Sequence, residues 1–501
     1  MRTKLMRIAK VVCFCVIALG IMAFLTKLFT PKWLENRWHS AKTNNSFYEL
    51  EDNSLDVAII GSSVVAAAID PYQLYEEQGI SAYNMGVMQQ PMVGTYFWLK
   101  EIQTTQKPKV VVVEVKTAGR VSDKNEADSR KSYDYMQWGK AKLQYAIEYC
   151  NTNEDAELFE YLFPFGKYHT RWSEISEEDY DFVSGNDDSL TRGFVTLTTK
   201  SGVEFDGIKT DTDKEAEYNA TNADYLKRII EECQNNDMGV VLVKTPDSSW
   251  KASKYNHVKE IAEEYKVDYI DFNAKDMMNR LNIDYAKDSA DSVHLNIDGA
   301  KKVTEYLGKY LKEKYELSDY RTKEGSIKDE LDKGLKTYKY AYEDAKLCME
   351  NNVDAYLEKL KEGNYGIVVA GGSVFNGKFT DSQKALMAEI GFPQEFFEDI
   401  AGENNNIGII QKDNYEFSSN SNYDEENEIY TSLSKDGYFA DGMFYSIVSK
   451  RGGAKIKIGT KVHTANASKL NLAVYNPKTR EVADCIYFNT DDSGNISIAR
   501  K

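Results

Sequence analysis

Between residues 56 and 311, short apolar runs bounded by turn residues alternate with stretches of helical spacing, and this alternation leaves the chain few architectures. The runs are DVAIIGSS (56–63), ISAYNMG (80–86), KVVVVEV (109–115), MGVVLVKTP (238–246) and VDYIDF (267–272). They are too short for helices, and KVVVVEV is apolar without alternation, as a strand buried on both faces must be. Leu226, Ile229, Ile230 and Cys233 recur at helical spacing, as do Val258, Ile261, Ala262 and Tyr265. A last helix has Val303, Leu307, Tyr310 and Leu311 on its inner face, with Asp298 as its expected cap. Strands separated by helices predict a three-layer α/β domain around a parallel sheet, over residues 50–315. Residues 117–222 are polar, aromatic-rich and break the rhythm, so an insertion or cap over a site is expected there.

The N-terminus has a different texture. Val11 to Leu25 carries no charge, and Ile8 to Phe29 carries only Lys10 and Lys27. That covers the roughly 20 residues a helix needs to cross a bilayer, and the two lysines can snorkel. Trp33 and Trp38 follow where an interfacial aromatic belt would lie. No small-x-small cleavage site follows, so residues 1–30 read as a short tail and an uncleaved transmembrane anchor. Arg2, Lys4, Arg7 and Lys10 precede the span while Lys27, Lys32, Arg37 and Lys42 follow it, so charge alone leaves the orientation near a tie.

With 79 acidic against 62 basic residues the net charge is −17, which offers no basic face to a phosphate backbone and excludes nucleic acid as an expected partner. The six cysteines form no C-x-x-C pair, so neither a disulfide framework nor a metal site is expected. No motif calls for a cofactor. Residues 316–345 are charged and lack a regular apolar face, as a linker or solvated helix would. Beyond them the texture becomes β-rich, with GAKIKIG (453–459) and KLNLAVYN (469–476), which predicts a second, α+β domain over 346–501.

In a parallel sheet, sites form outside the carboxyl ends of the strands. Those ends carry Gly61-Ser62-Ser63, Asn84-Met85-Gly86, Lys116-Thr117 and Lys244-Thr245, and Asp291-Ser292-Val293-His294 follows strand five. A three-residue offset lets Asp291 reach Nδ1 of His294 and turn Nε2 toward a serine hydroxyl, the arrangement of a nucleophile activated by an oriented base. The N–H groups of Ser63 and Gly86 are candidate oxyanion donors. In YHTRW (168–172), His169 and Arg171 are candidates for an anionic substrate, weighed against a structural arginine packed on Trp172.

GSS (61–63), NMG (84–86) and DSVH (291–294) together resemble the first, second and last blocks of the SGNH (GDSL-like) hydrolases, over about residues 50–315. The likeness is closest to the membrane-anchored branch acting in cell-surface polymer acylation, which includes the teichoic-acid D-alanyl transfer protein and the alginate acetylation proteins. It implies Ser63 as nucleophile, Asp291 as orienter, His294 as base and Gly86 as oxyanion donor, with Ser62 replacing the family's aspartate. The third block, G-x-N-D, is missing. VEVKTAGR (113–120) stands in its place, and Lys116 or Thr117 is the candidate substitute for its asparagine. The resemblance also implies a single-pass cell-membrane protein with a cytoplasmic tail before the anchor in residues 1–30 and its catalytic body outside the cytoplasm. Its expected partners are a cell-surface polysaccharide or cell-wall polymer, with a polytopic membrane-bound acyltransferase as candidate donor.

In the second domain GGSVFNG (371–377) lacks the G-K-[ST] of a phosphate loop. YGIVVAGGS, ALMAEIGFP (385–393), NIGIIQKD (406–413) and LNLAVYNPKTREVADCIYFNT (470–490) are similar to the interleukin-like EMT inducer domain, over about 360–492. Relatives of that domain include sugar-binding stems of glycosyltransferases, so the resemblance implies glycan binding. Two readings result: a membrane-anchored serine O-acyltransferase or esterase working on a surface glycan, or a non-catalytic glycan-binding or assembly protein with a degenerate site.

Overall fold

The computed structural model describes residues 2–500 except 36–37, 121–124, 177–178, 181, 183–189, 211–218, 373–374, 401–403 and 412–413. The chain divides into two compact units, Met1–Leu335 and Lys336–Lys501.

The first unit opens with helix α1 (Arg2–Phe29). Its stretch Lys4–Phe29 is long and apolar enough to cross a membrane, and its side chains are exposed from Lys4 to Phe24. The body is built on β1 (Val57–Ser62), β2 (Ala82–Val87), β3 (Val110–Glu114), β4 (Gly239–Lys244) and β5 (Asp268–Asp271). They form one parallel sheet in the order β2-β1-β3-β4-β5.

Alternation along the strands feeds two cores. Ala58, Ile60, Val111 and Val113 face one apolar layer with Trp98, Ile229 and Ile230. Val57, Ile59, Val110 and Val112 face the other, with Val303, Leu307 and Leu311. Both faces being buried explains why KVVVVEV shows no polar alternation, and exposing any one of these branched side chains would cost about 1.5–3 kcal/mol. The polar insertion contributes tyrosines to the first layer. Tyr145 stacks on Phe97 at 5.5 Å, and Tyr133, Tyr149 and Tyr161 close around it.

One local expectation is corrected. Helix Ile297–Lys314 is capped by Asn296, whose side chain accepts from the N–H groups of Asp298 and Gly299, and Asp298 itself sits in the first turn. The helix Ser326–Cys348 begins inside the first unit, where Leu331 is buried with Tyr75 and Tyr320.

The second unit holds a six-stranded antiparallel sheet, ordered Asn414–Ser421, Asn404–Gln411, Gly366–Ala370, Leu470–Asn476, Glu481–Thr490 and Ile496–Ala499. Helices Val353–Glu362 and Asp381–Ile390 pack on one face through Leu357, Leu360 and Met387. The strands Ser432–Tyr438, Phe444–Lys450 and Gly453–Ile458 cover the other face through Tyr445, Ile447 and Ile456. Apolar residues on both faces of the central strands make this an α+β sandwich.

Candidate active site

The strand order turns at β1: chain growth goes first to β2 on one side, then to β3 on the other. A crevice opens outside the carboxyl ends at such a switch point. Gly61, next to last in β1, lies there at φ +147°, and a Cβ on it would lie 2.6 Å from Cβ of Glu114 on β3. A side chain is therefore disfavoured twice, by conformation and by space. The residues after this glycine turn in opposite directions. Ser62 is buried and its hydroxyl donates to Glu114 Oε2 at 2.9 Å. Ser63 starts a single helical turn, Ser63–Ala66.

Ser63 Oγ lies 2.8 Å from Nε2 of His294. Nδ1 of the same ring lies 2.8 Å from Asp291 Oδ2 and 3.1 Å from Oδ1. Asp291 Oδ1 also accepts the N–H groups of Val293 and His294 at 2.8 and 2.9 Å. Partial burial raises the Asp291 pKa, but the hydrogen bond and charge of His294 and the two N–H groups outweigh it and hold the carboxyl below its ordinary value. An ionised Asp291 accepts only, so Nδ1 carries the proton and the Nε2 lone pair is left for the Ser63 hydroxyl. Ser63 and His294 are 5% and 9% exposed, which shields this hydrogen bond from competing water.

Neighbouring segments fix this geometry. Asn84 Nδ2 donates to the carbonyls of Val65 and Ile69, both at 2.9 Å, and so braces the turn that carries Ser63. Ser248, in the loop after β4, donates through both N–H and Oγ to Ser292 O. From the insertion, Val195 N–H bonds Ala66 O, Ser201 N–H bonds Ser289 O and Thr199 Oγ1 bonds Ala290 O. Residues 195–201 thus run from the serine turn to the Asp-x-x-His loop.

The other expected site residues fall elsewhere. Gly86 has its N–H 3.0 Å from Asn84 Oδ1, so that donor already has an acceptor. A Cβ on Gly86 would sit 2.8 Å from Ala66 N and 2.9 Å from Ser62 O, which makes it a close-packing glycine under the serine turn. Lys116 places Nζ 3.0 Å from Asp247 Oδ2; burial lowers its pKa, and the charge of Asp247 works against that. Lys116 belongs to a buried network in which Lys244 Nζ lies 3.4 Å from Asp247 Oδ2 and 3.8 Å from Glu114 Oε1. Burial would raise the pKa of Asp247, but Lys244 and Lys116 hold it far below the carboxylate range. Thr117 Oγ1 is buried with no hydrogen-bond partner, and its carbonyl accepts from Asn222. Arg171 is not stacked on Trp172. Its guanidinium reaches Phe29 O, Asp179 and Glu174, and the exposed His169 bonds Gly166 O.

Trp38 is the residue that sequence reasoning placed otherwise. Read as part of an interfacial belt, its ring lies 5.0 Å from that of His294, tilted by 57°. This contact limits how far the imidazole can swing. Trp38→Ala should therefore lower kcat/KM on a small soluble ester by roughly one to two orders of magnitude with little change in melting temperature. Unchanged kinetics would show that the ring merely shields the site.

No known protein-family profile matches the chain, and no curated protein matches it. Among solved structures, the chain is similar to a G-D-S-L-family lipolytic protein from Desulfitobacterium hafniense DCB-2, at 13% identity and a TM-score of 0.26, over 50% of this chain and 97% of that one. It is also similar to a GDSL-like lipase from Parabacteroides merdae ATCC 43184, at 11% identity and a TM-score of 0.23, over 51% and 94% of the two chains. At this distance neither carries weight for the chemistry, which is set by the side-chain geometry.

Proposed function

We propose that the protein is a Ser63-dependent acyl-transfer enzyme, an O-acyltransferase or esterase acting on a cell-surface glycan. One observation carries the reading: an unbroken chain of hydrogen bonds from Ser63 Oγ through both nitrogens of His294 to Asp291, closed by residues 231 positions apart. Ser63 Oγ attacks the carbonyl carbon of an ester and its proton passes to His294 Nε2. The carbon–oxygen bond to the leaving alkoxide breaks, and His294 returns the proton to that oxygen. Water or a sugar hydroxyl then attacks the acyl carbon and gives its proton to His294; the bond from that carbon to Ser63 Oγ breaks, releasing the acid or the new ester, and His294 returns the proton to Oγ. Of the expected oxyanion donors, the Gly86 N–H and the Lys116 ammonium are engaged, which leaves the Ser63 N–H and the Thr117 hydroxyl. Fluorophosphonate labelling of the full chain tests this. Stoichiometric modification of Ser63 is expected; an unmodified serine in folded protein would favour a glycan-binding protein without turnover.

The anchor, the extracytoplasmic placement and the glycan are part of the same proposal. Helix α1 supports the anchor by its length and bare apolar surface. In the second unit, Tyr423, Tyr430 and Tyr438 are exposed on short strands, with Tyr423 and Tyr430 5.2 Å apart and Arg451 over the Tyr430 ring. Exposed tyrosine faces suit the apolar faces of sugar rings. Replacing Tyr423 and Tyr430 by alanine should abolish retention on the glycan of the protein's own cell surface and leave small-ester turnover unchanged. Retention equal to wild type would remove these rings from the glycan site.

A further inference from the structure

The insertion leaves large aromatic rings bare beside the end of α1. Phe159, Phe163 and Trp172 are 64%, 57% and 73% exposed. Phe159 and Phe163 stack at 5.0 Å, and Phe159 lies over Gly166. The residues interleaved with them hold the last turn of α1. Phe165 meets Phe29 edge-on at 5.5 Å, and Arg171 donates to Phe29 O.

That end of α1 is tied to the body rather than hung on a flexible tether. Lys32 Nζ donates to the carbonyls of Lys27, Leu28 and Thr30 at 2.8, 3.0 and 2.6 Å, which are among the acceptors a helix C-terminus leaves unpaired. It also pairs with Asp179 at 3.1 Å, both side chains being 4% exposed. Tyr135 OH donates to Thr30 O. The side chains of α1 are bare up to Phe24, and packing begins at Leu25. The level at which the helix leaves the apolar phase is therefore the level at which the insertion begins.

We infer that Phe159, Phe163 and Trp172 lie in the headgroup region of the bilayer that α1 crosses, so that the body rests on the membrane surface in a fixed orientation. This rests on reading α1 as a membrane span. The occupant of the aromatic edge is lipid, because the edge is continuous with the anchor and is built of the residue types that settle at the interface. A patch of this kind facing water would be an aggregation liability. The same geometry limits the height of the site. Trp38 is nine residues beyond Phe29, so even an extended chain holds its backbone within about 30 Å of the helix end, and the His294 ring lies 5.0 Å from the Trp38 ring.

The test uses the full chain in nanodiscs, lacking Cys13 and Cys15 and carrying a fluorophore at Phe24→Cys, Phe163→Cys or Trp172→Cys. Lipid bearing a nitroxide near the headgroup should quench the labels at 163 and 172, and lipid with a nitroxide deep in the chain should quench the label at 24. If the label at 24 is quenched while those at 163 and 172 respond only to aqueous iodide, the anchor stands and the proposed surface is wrong. If no label is quenched by lipid, the anchor and the surface both fall. As a second measurement, Phe159→Glu/Phe163→Glu/Trp172→Glu should leave the protein in the membrane fraction and abolish quenching of Trp33 fluorescence by shallow nitroxide lipid. Wild-type quenching of Trp33 in that variant would overturn the inference.

Discussion

Ser63→Ala should abolish fluorophosphonate labelling and lower ester turnover by at least about 10³-fold, the effect of losing one member of a cooperating trio. Ser62→Ala should keep both. The two hydroxyls are one residue apart, but Gly61 and the helical turn Ser63–Ala66 send them to different environments. Ser63 faces His294 Nε2, whereas Ser62 is bonded to the buried Glu114 carboxylate. Ser62→Ala leaves one acceptor unfilled in the sheet interior and should cost about 1–3 kcal/mol of stability, with the labelled serine unchanged. Labelling lost in Ser62→Ala and kept in Ser63→Ala would assign the nucleophile to the wrong serine. Turnover kept in both would remove this site from the chemistry altogether.

Asp247→Ala should destabilise the first unit by about 3–5 kcal/mol, the typical cost of leaving a buried charge without its partner. Lys244 and Asp247 are wholly buried, and among the described residues Lys244 would retain only Glu114, at 3.8 Å, as a carboxylate partner. Lys116 would lose the carboxylate at 3.0 Å. Because the folded state depresses the Asp247 pKa, its contribution is present above the ordinary carboxylate value and is lost only as pH falls through the much lower folded value. The deficit of the variant should thus be constant from about pH 5 to 8. Urea unfolding followed by tryptophan fluorescence measures it. The double variant Lys244→Met/Asp247→Leu should recover much of the loss, since apolar replacement of a buried pair is often close to neutral. A single-variant cost below about 1 kcal/mol would show that water solvates the network.

Much of the first unit was legible in the chain itself. The five strands, their parallel arrangement and the apolar faces of the covering helices follow from periodicity, because both faces of a parallel sheet must be buried wherever the strands lie. Ser63, Asp291 and His294 were legible for a similar reason. Asp291 and His294 are three residues apart, so their contact is local, and a serine at a strand end is marked by its glycine. Asn296 was missed as a cap because Asp298, two residues on, satisfies the same compositional rule; only the backbone at 296 decides between them. Gly86 was expected as an oxyanion donor, but its N–H bonds Asn84 Oδ1 and what requires a glycine there is room under Ala66 and Ser62.

What the amino-acid sequence determined by itself is whatever depends on local spacing: an apolar N-terminal helix, a three-layer α/β unit, a β-rich second unit and the residue types of the candidate trio. Tertiary structure alone decided which groups meet across the strand order. It turned Ser62 to Glu114, bound Lys116 and Lys244 to Asp247, set Asn84 beneath the serine turn and laid Trp38 on His294. The physical reason is that a hydrogen bond or ion pair between residues distant in the chain depends on sheet order and on the direction each side chain takes at a strand end. Neither leaves a periodic trace in the order of the residues.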